Sequence, residues 1–106
     1  MRVRASVLVI VAAMIAAPAR AKFETGNELY ERCVDNDTEK RMWCLGFVKG
    51  VSDALTQGTE CPGPNVTDGQ VKDVVVKYLR EHPENRYLPA RILVGTALGT
   101  AFPCKK

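Results

Sequence analysis

The four cysteines carry the most reactive side chains of this sequence, and they lie at positions 33, 44, 61 and 104. No two of them have the C-x-x-C spacing of a redox motif. A zinc site would need four ligands from cysteines spread over about 70 positions and a single histidine. An even cysteine count is instead typical of disulfides in small exported domains. We therefore expect two disulfides, no metal site and no free thiol nucleophile.

The other residue types that could support catalysis are sparse. His82 is the only histidine, and it precedes Pro83 in a polar stretch where a solvated surface role is typical. Ser52 lies beside Asp53, but adjacent helical positions diverge by about 100° and do not face each other. No G-x-S-x-G motif is present. The sequence predicts a protein that is not an enzyme and needs no cofactor.

The first 21 residues have the three parts of a secretion signal in order. Arg2 and Arg4 precede an apolar run over residues 5–17, and small residues follow up to Ala21. About 15 apolar residues are fewer than the roughly 20 that a membrane-spanning helix needs, and Pro18 ends the run. We expect a signal peptide over residues 1–21, cleavage after Ala21 and a soluble periplasmic domain over residues 22–106 that has no membrane contact.

The charge balance of that mature domain argues against a polyanionic partner. Three of the fifteen lysines and arginines lie in the leader, which has no acid, so twelve basic residues remain against twelve acidic ones. Nucleic-acid binding needs a local excess of cations. With 46% apolar residues, disorder is also disfavoured. About 85 residues allow one small globular domain.

Caps and apolar spacing predict helices throughout the mature chain. Capping-box patterns begin at Thr25 and Thr67, a turn over residues 35–38 precedes the second helix, and Pro89 opens the fourth. Apolar residues then recur at helical intervals until Gly58 stops the second helix, and up to Leu79 in the third helix and Ala101 in the fourth. The stretch over residues 71–76 would also suit a strand, because it contains Val-Val-Val, although the preceding cap favours a helix. The expected fold is an all-α bundle of about four helices.

Two glycine pairs lie inside predicted helices, at Gly46 and Gly50 in the second and at Gly95 and Gly99 in the fourth. Glycine within a helix costs roughly 0.5 to 1 kcal/mol relative to alanine, which close backbone packing could offset. Either the second helix packs on the fourth within one chain, or one of these faces forms a homodimer contact. Both alternatives remain open at this stage.

Helix direction constrains the disulfides. If the helices alternate up and down, Cys33 and Cys44 lie near one end of the bundle, whereas Cys61 and Cys104 both follow descending helices and lie at the other. This arrangement favours Cys33 with Cys44 and Cys61 with Cys104 among the three possible pairings.

Several segments together resemble the Rap/Tai immunity proteins, which protect bacteria against amidase effectors of type VI secretion. They are GNELY at 26–30 with Cys33, CLGFV at 44–48 with Gly50 and Asp53, Cys61, the cap at 67–70 with VVKYL at 75–79, the His82-Pro83 pair, and FPC at 102–104. The similarity extends from Phe23 to Cys104. It implies an exported helical protein, often a dimer, that binds a peptidoglycan-cleaving toxin and blocks its active-site groove.

A polar stretch between the third and fourth helices is then the candidate inhibitory segment. It contains the residues expected to contact the partner, which are His82, Glu84, Asn85, Arg86 and Tyr87. Tyrosine and arginine are the types that most often anchor interfaces. A small chaperone-like or envelope-stress protein of the periplasm is the alternative, because a helical, disulfide-closed domain would also suit that role.

Overall fold

The computed structural model describes residues 23–56 and 58–105, so the predicted signal peptide lies outside the described residues. Within them the chain forms four α-helices: α1 (Gly26–Val34), α2 (Thr38–Leu55), α3 (Asp68–Glu81) and α4 (Ala90–Ala101). These ranges contain no strand beyond isolated bridges, which confirms the predicted all-α fold and excludes the strand alternative for the valines of α3. No helix of the described ranges is long and apolar enough to cross a bilayer.

Side-chain caps set the start of three helices. Thr67 accepts from the amide of Gln70 while the Gln70 side chain accepts from the amide of Thr67, so this capping box is complete. Thr25 also accepts from the amide of Glu28, but its hydroxyl donates to the Glu28 carboxylate. The box predicted at Thr25 is therefore only half formed. Asp37 caps α2 through the amide of Glu39.

An exposed carboxylate orders the turn between α1 and α2. Asp35 accepts from the amide of Asp37 at 2.8 Å, and the ammonium of Lys40 lies 3.3 Å from its other oxygen. The backbone hydrogen bond, followed by the nearby cations, holds the pKa of Asp35 below its ordinary value. The turn keeps these bonds at neutral pH and loses them as the pH falls through that lowered pKa.

The core lies along the common axis of the bundle, because each helix packs against the other three. On α3 the buried side chains are spaced four residues apart, as a single inward stripe requires. The buried apolar residues are Leu29, Cys33, Cys44, Val48, Val71, Val75, Leu79, Ala90, Leu93, Val94, Ala97 and Leu98.

Both disulfides form with the predicted pairing. Cys33 joins Cys44 and ties the end of α1 to the first half of α2, whereas Cys61 joins Cys104 and ties the α2–α3 segment to the chain after α4. The first bridge is buried in the core. Cys61 of the second bridge is exposed and Cys104 is half-buried.

The two glycine pairs have different surroundings. A Cβ on Gly95 would lie 3.2 Å from a methyl group of Leu55, and one on Gly99 would lie 3.3 Å from the carbonyl of Thr59. At Gly46 and Gly50 a Cβ would meet no described atom within 4 Å. The glycines of α4 therefore lie against the end of α2 and the segment that follows it. Gly46 and Gly50 of α2 do not pack on α4, in contrast to the first of the two alternatives.

Candidate functional site

The candidate site is the α3–α4 connection (residues 82–89), a series of tight turns. Residues Pro83–Asn85 form one turn of 3₁₀-helix. The amide of Arg86 donates to the carbonyl of Pro83 at 3.3 Å, and that of Leu88 donates to Asn85 at 3.0 Å. Because its backbone groups bond to one another, the connection has a defined shape before any partner binds.

The start of α1 holds the far half of this connection. The amide of Gly26 donates to the carbonyl of Leu88 at 2.9 Å, and the amide of Asn27 donates to that of Arg86 at 2.8 Å. First-turn amides have no acceptor within their own helix, so the connection supplies the acceptors that α1 lacks. The amide of Ala90 donates in return to the carbonyl of Glu24 at 2.7 Å.

Only a glycine fits at position 26. An added Cβ would collide with a methyl group of Leu93 and would lie 2.9 Å from the carbonyl oxygen of Arg86. The carbonyl is backbone and is already fixed by the amide of Asn27, so it cannot move aside easily. Gly26 thus permits α1 and the connection to come into backbone contact.

Three of the five predicted contact residues turn toward the bundle. The guanidinium of Arg86 lies 4.3 Å from the ring centroid of Tyr30. The His82 ring stacks on Tyr78 with 4.2 Å between ring centroids, and its Nδ1 lies 2.9 Å from the Tyr78 carbonyl oxygen. Asn85 is half-buried.

The other two predicted residues face solvent. Tyr87 has 71% of its surface exposed, and Glu84 is exposed as well. A tyrosine on a backbone fixed at both ends is a rigid, amphipathic contact group. The geometry therefore separates one prominent exposed side chain, Tyr87, from neighbours that hold its backbone. Whether these residues contact a partner stays a prediction.

A second exposed surface, the α2 groove, runs along α2 beside the start of α4. Two adjoining depressions of about 230 and 310 Å³ share Val51 and Arg91. Trp43 and Phe47 stack on the same helix at 5.3 Å between ring centroids. The groove is lined by Phe23, Glu24, Phe47, Gly50, Val51, Ala54, Leu55, Pro89 and Arg91.

The groups considered above for catalysis are engaged in structural contacts. The hydroxyl of Ser52 is buried and donates to the carboxylate of Glu60, which has no exposed surface. All four cysteines are in disulfides. Within residues 23–56 and 58–105, no group of three His, Cys, Asp or Glu residues could hold a metal ion. The described surface offers an ordered connection with an exposed tyrosine and an apolar groove beside two stacked aromatic rings, and both features suit contact with another protein.

Two residues that support the site, Gly26 and Tyr30, could not be recognised as such from the sequence. Their pattern places them on the first helix and in a family-like segment, whereas their contacts are with residues about 60 positions away in the chain. A glycine directly after the Thr25 cap was the available signal for close approach. Nothing in the local sequence marks Glu60 as buried, since acids are rarely found in the interior.

Comparison with known proteins gives one clear result. No curated protein sequence matches the chain. The sequence profile of the Rap1a immunity proteins matches residues 25–104, which include all four helices, both disulfides and the α3–α4 connection. The chain therefore belongs to the Rap1a immunity protein family.

Proposed function

We propose that this protein is a periplasmic immunity protein that binds and inhibits a peptidoglycan amidase delivered by type VI secretion. The observation that carries the proposal is family membership over residues 25–104, which indicates an immunity protein for a secreted effector. Such a protein acts as an inhibitor and not as an enzyme. The amidase and the secretion system come from the resemblance of the sequence to the Rap/Tai proteins.

The periplasmic location is supported by the disulfides. Disulfides persist in oxidising compartments such as the periplasm and are rare in the cytosol. Both bridges of this chain form; one joins α1 to α2, and the other joins the α2–α3 segment to the chain after α4. A peptidoglycan amidase acts in the same compartment, so inhibitor and toxin would meet there. The predicted leader over residues 1–21 supplies the route.

In the proposed mechanism the α3–α4 connection enters the active-site groove of the amidase and excludes its substrate. Tyr87, at 71% exposure, would bury the largest apolar surface of the connection. The backbone bonds to Gly26 and Asn27 fix the connection beforehand, so little chain entropy would be lost on binding. Binding of this protein is then sufficient to inhibit the amidase, with one inhibitor chain bound per active site.

Complex formation with a candidate peptidoglycan amidase effector, sought among the genes that neighbour this one, tests the proposal. Co-purification and protection from lysis on co-expression are expected for the parent. Tyr87→Ala should weaken the complex by about 2 kcal/mol or more, roughly 30-fold, if Tyr87 anchors the interface. Val34→Ala is the matched control, because Val34 is 48% exposed at the end of α1 and lies outside both the connection and the α2 groove.

Two results would count against different parts of the proposal. Absence of a complex and of protection with the parent would contradict the function and favour a chaperone-like role. A complex that tolerates Tyr87→Ala as well as Val34→Ala would keep the function and move the contact site elsewhere.

We also propose that the α2 groove forms a contact between two copies of the chain. Gly46 and Gly50 have no described atom near a would-be Cβ, so contacts within the chain do not explain these helix-weakening residues. A second helix could approach closely over this face. The exposed Trp43 ring, stacked on the half-buried Phe47 ring, would extend the apolar contact.

Gly50→Leu should therefore lower the dimer fraction while leaving the melting temperature of the monomer unchanged or higher, because leucine favours helix by up to about 1 kcal/mol. Sedimentation velocity measures the fraction. Gly69→Leu is the control, since Gly69 is exposed in the first turn of α3. A parent that sediments as a monomer, or a Gly50→Leu variant that dimerises like the parent, would refute the contact.

A further inference from the structure

Arg86 is held at three points, although it directly precedes the exposed side chain of Tyr87. Its amide donates to the carbonyl of Pro83, and its carbonyl accepts from the amide of Asn27. Its guanidinium lies 4.3 Å from the ring centroid of Tyr30. The next residue, Tyr87, projects into solvent. Backbone and side chain of Arg86 are thus both anchored on α1.

The geometry of α1 brings these anchors together. Tyr30 follows Asn27 by three residues and Gly26 by four, and residues at these spacings share a helix face. The ring therefore lies one turn above the two amides that bind the carbonyls of Arg86 and Leu88. Gly26 leaves the room in which this contact forms.

Aromatic contact, not ion pairing, holds the guanidinium. The Nε of Arg86 is buried and has no hydrogen-bond partner among the described residues. No described carboxylate lies within ion-pair distance of it, whereas Arg32 pairs with Glu24 at 2.9 Å. Partial burial of a cation without a carboxylate partner disfavours the folded state, since removing a charged group from water costs free energy. The attraction to the Tyr30 ring offsets part of it.

We propose that Tyr30 and Arg86 are positioning residues that hold Tyr87 in the orientation in which it enters the partner. This inference rests on the proposed function and adds residues on α1 to the inhibitory device. A contact group that is ordered in the free protein avoids the entropy loss of ordering on binding. Tyr30 itself does not need to touch the amidase.

Replacement of Tyr30 tests the proposal. Tyr30→Phe keeps the ring and should bind the amidase like the parent. Tyr30→Leu removes the ring and should weaken binding roughly three- to tenfold, the range expected for one side chain that must be ordered on binding. Arg86→Met removes the charge while keeping much of the stem, and it serves as a second variant if Tyr30→Leu does not fold. It should weaken binding by a similar factor.

A double-mutant cycle separates positioning from direct contact. If Tyr30 acts through Tyr87, then Tyr30→Leu should change affinity less than about twofold in a Tyr87→Ala background. Additive losses would show that Tyr30 contacts the amidase itself and would overturn the proposal. Parent-like affinity of the single Tyr30→Leu variant would overturn it as well.

A measurement on the free protein keeps this inference distinct from the proposed function. Amide hydrogen exchange at Asn27 and Leu88, whose amides donate to the carbonyls of Arg86 and Asn85, should accelerate in Tyr30→Leu and stay as in the parent in Tyr30→Phe. If the parent forms no complex, the proposed function fails, and exchange alone decides whether Tyr30 orders the connection. Unchanged exchange in Tyr30→Leu would refute the ordering role.

Discussion

At the scale of single residues, the most unusual feature is the buried carboxylate of Glu60. It has no exposed surface, and it accepts a hydrogen bond from the hydroxyl of Ser52 on α2. Its second oxygen has no partner among the described residues. Burial of a carboxylate is unfavourable unless hydrogen bonds compensate, so the Ser52 hydroxyl has a large structural effect at this position.

Ser52→Ala should therefore lower the free energy of unfolding by about 1 to 3 kcal/mol, because it removes the donor and leaves the acceptor buried. Urea denaturation measures the loss. Asp53→Ala is the neighbouring control: the Asp53 side chain is 68% exposed and its ion pair with Lys49 spans 3.7 Å, so a change within about 0.5 kcal/mol is expected. Equal stability of the two variants would show that the buried hydrogen bond contributes little.

The adjacent residues Arg86 and Tyr87 show where reasoning from residue type ends. Both are types that anchor interfaces, and both lie in a polar stretch, so residue type alone predicts that replacement of either leaves the fold intact. Tyr87 is exposed, and we expect its replacement to have no effect on the fold. Arg86 is half-buried against Tyr30 and carries a backbone bond to α1. The difference depends on a contact across about 56 residues of chain, which local spacing does not reveal.

At the scale of elements, the helices follow closely from local chemistry. Caps and apolar spacing are properties of neighbouring residues, and the complete capping box at Thr67 starts α3 where its pattern predicts. The surroundings of the glycines could not be predicted from local chemistry. Gly46 and Gly50 have the same spacing as Gly95 and Gly99, but they face solvent. Spacing predicts which residues share a helix face, whereas the neighbour of that face depends on the whole fold.

Thr67→Ala should destabilise the protein by about 1 kcal/mol, since it removes the acceptor for the amide of Gln70 at the start of α3. Thermal unfolding followed by circular dichroism measures this loss. Thr96→Ala is the matched control, because the exposed Thr96 hydroxyl bonds only to the carbonyl of Ile92 within α4 and alanine favours the helix. The capping role would be excluded if Thr67→Ala unfolded at or above the temperature of Thr96→Ala.

At the scale of the whole molecule, the two disulfides close the bundle at different places and with different access. Cys33–Cys44 lies in the core, and Cys61–Cys104 lies at the surface. The surface bridge spans 43 residues of sequence, including α3 and α4. In the chain-entropy model a loop of that size stabilises by roughly 4 kcal/mol. The exposed bridge is therefore both important for stability and open to reagents.

Limited reduction of the native protein should open Cys61–Cys104 before Cys33–Cys44, because thiol–disulfide exchange requires access of the attacking thiolate to sulfur. Alkylation followed by peptide mass analysis identifies the reduced pair. The singly reduced protein should melt at a lower temperature than the parent. Labelling of Cys33 and Cys44 first, in protein that is still folded, would contradict this account of access.

The central claim about the whole molecule is that it acts by occupying the active site of a toxin. The most direct measurement is a titration of a purified candidate amidase, the one that forms a complex with this protein, with the mature protein while peptidoglycan cleavage is followed. We predict that activity falls linearly and reaches zero near one chain per amidase, and that Tyr87→Ala shifts the curve to higher concentration. Full amidase activity in a large excess of the parent protein would contradict the account.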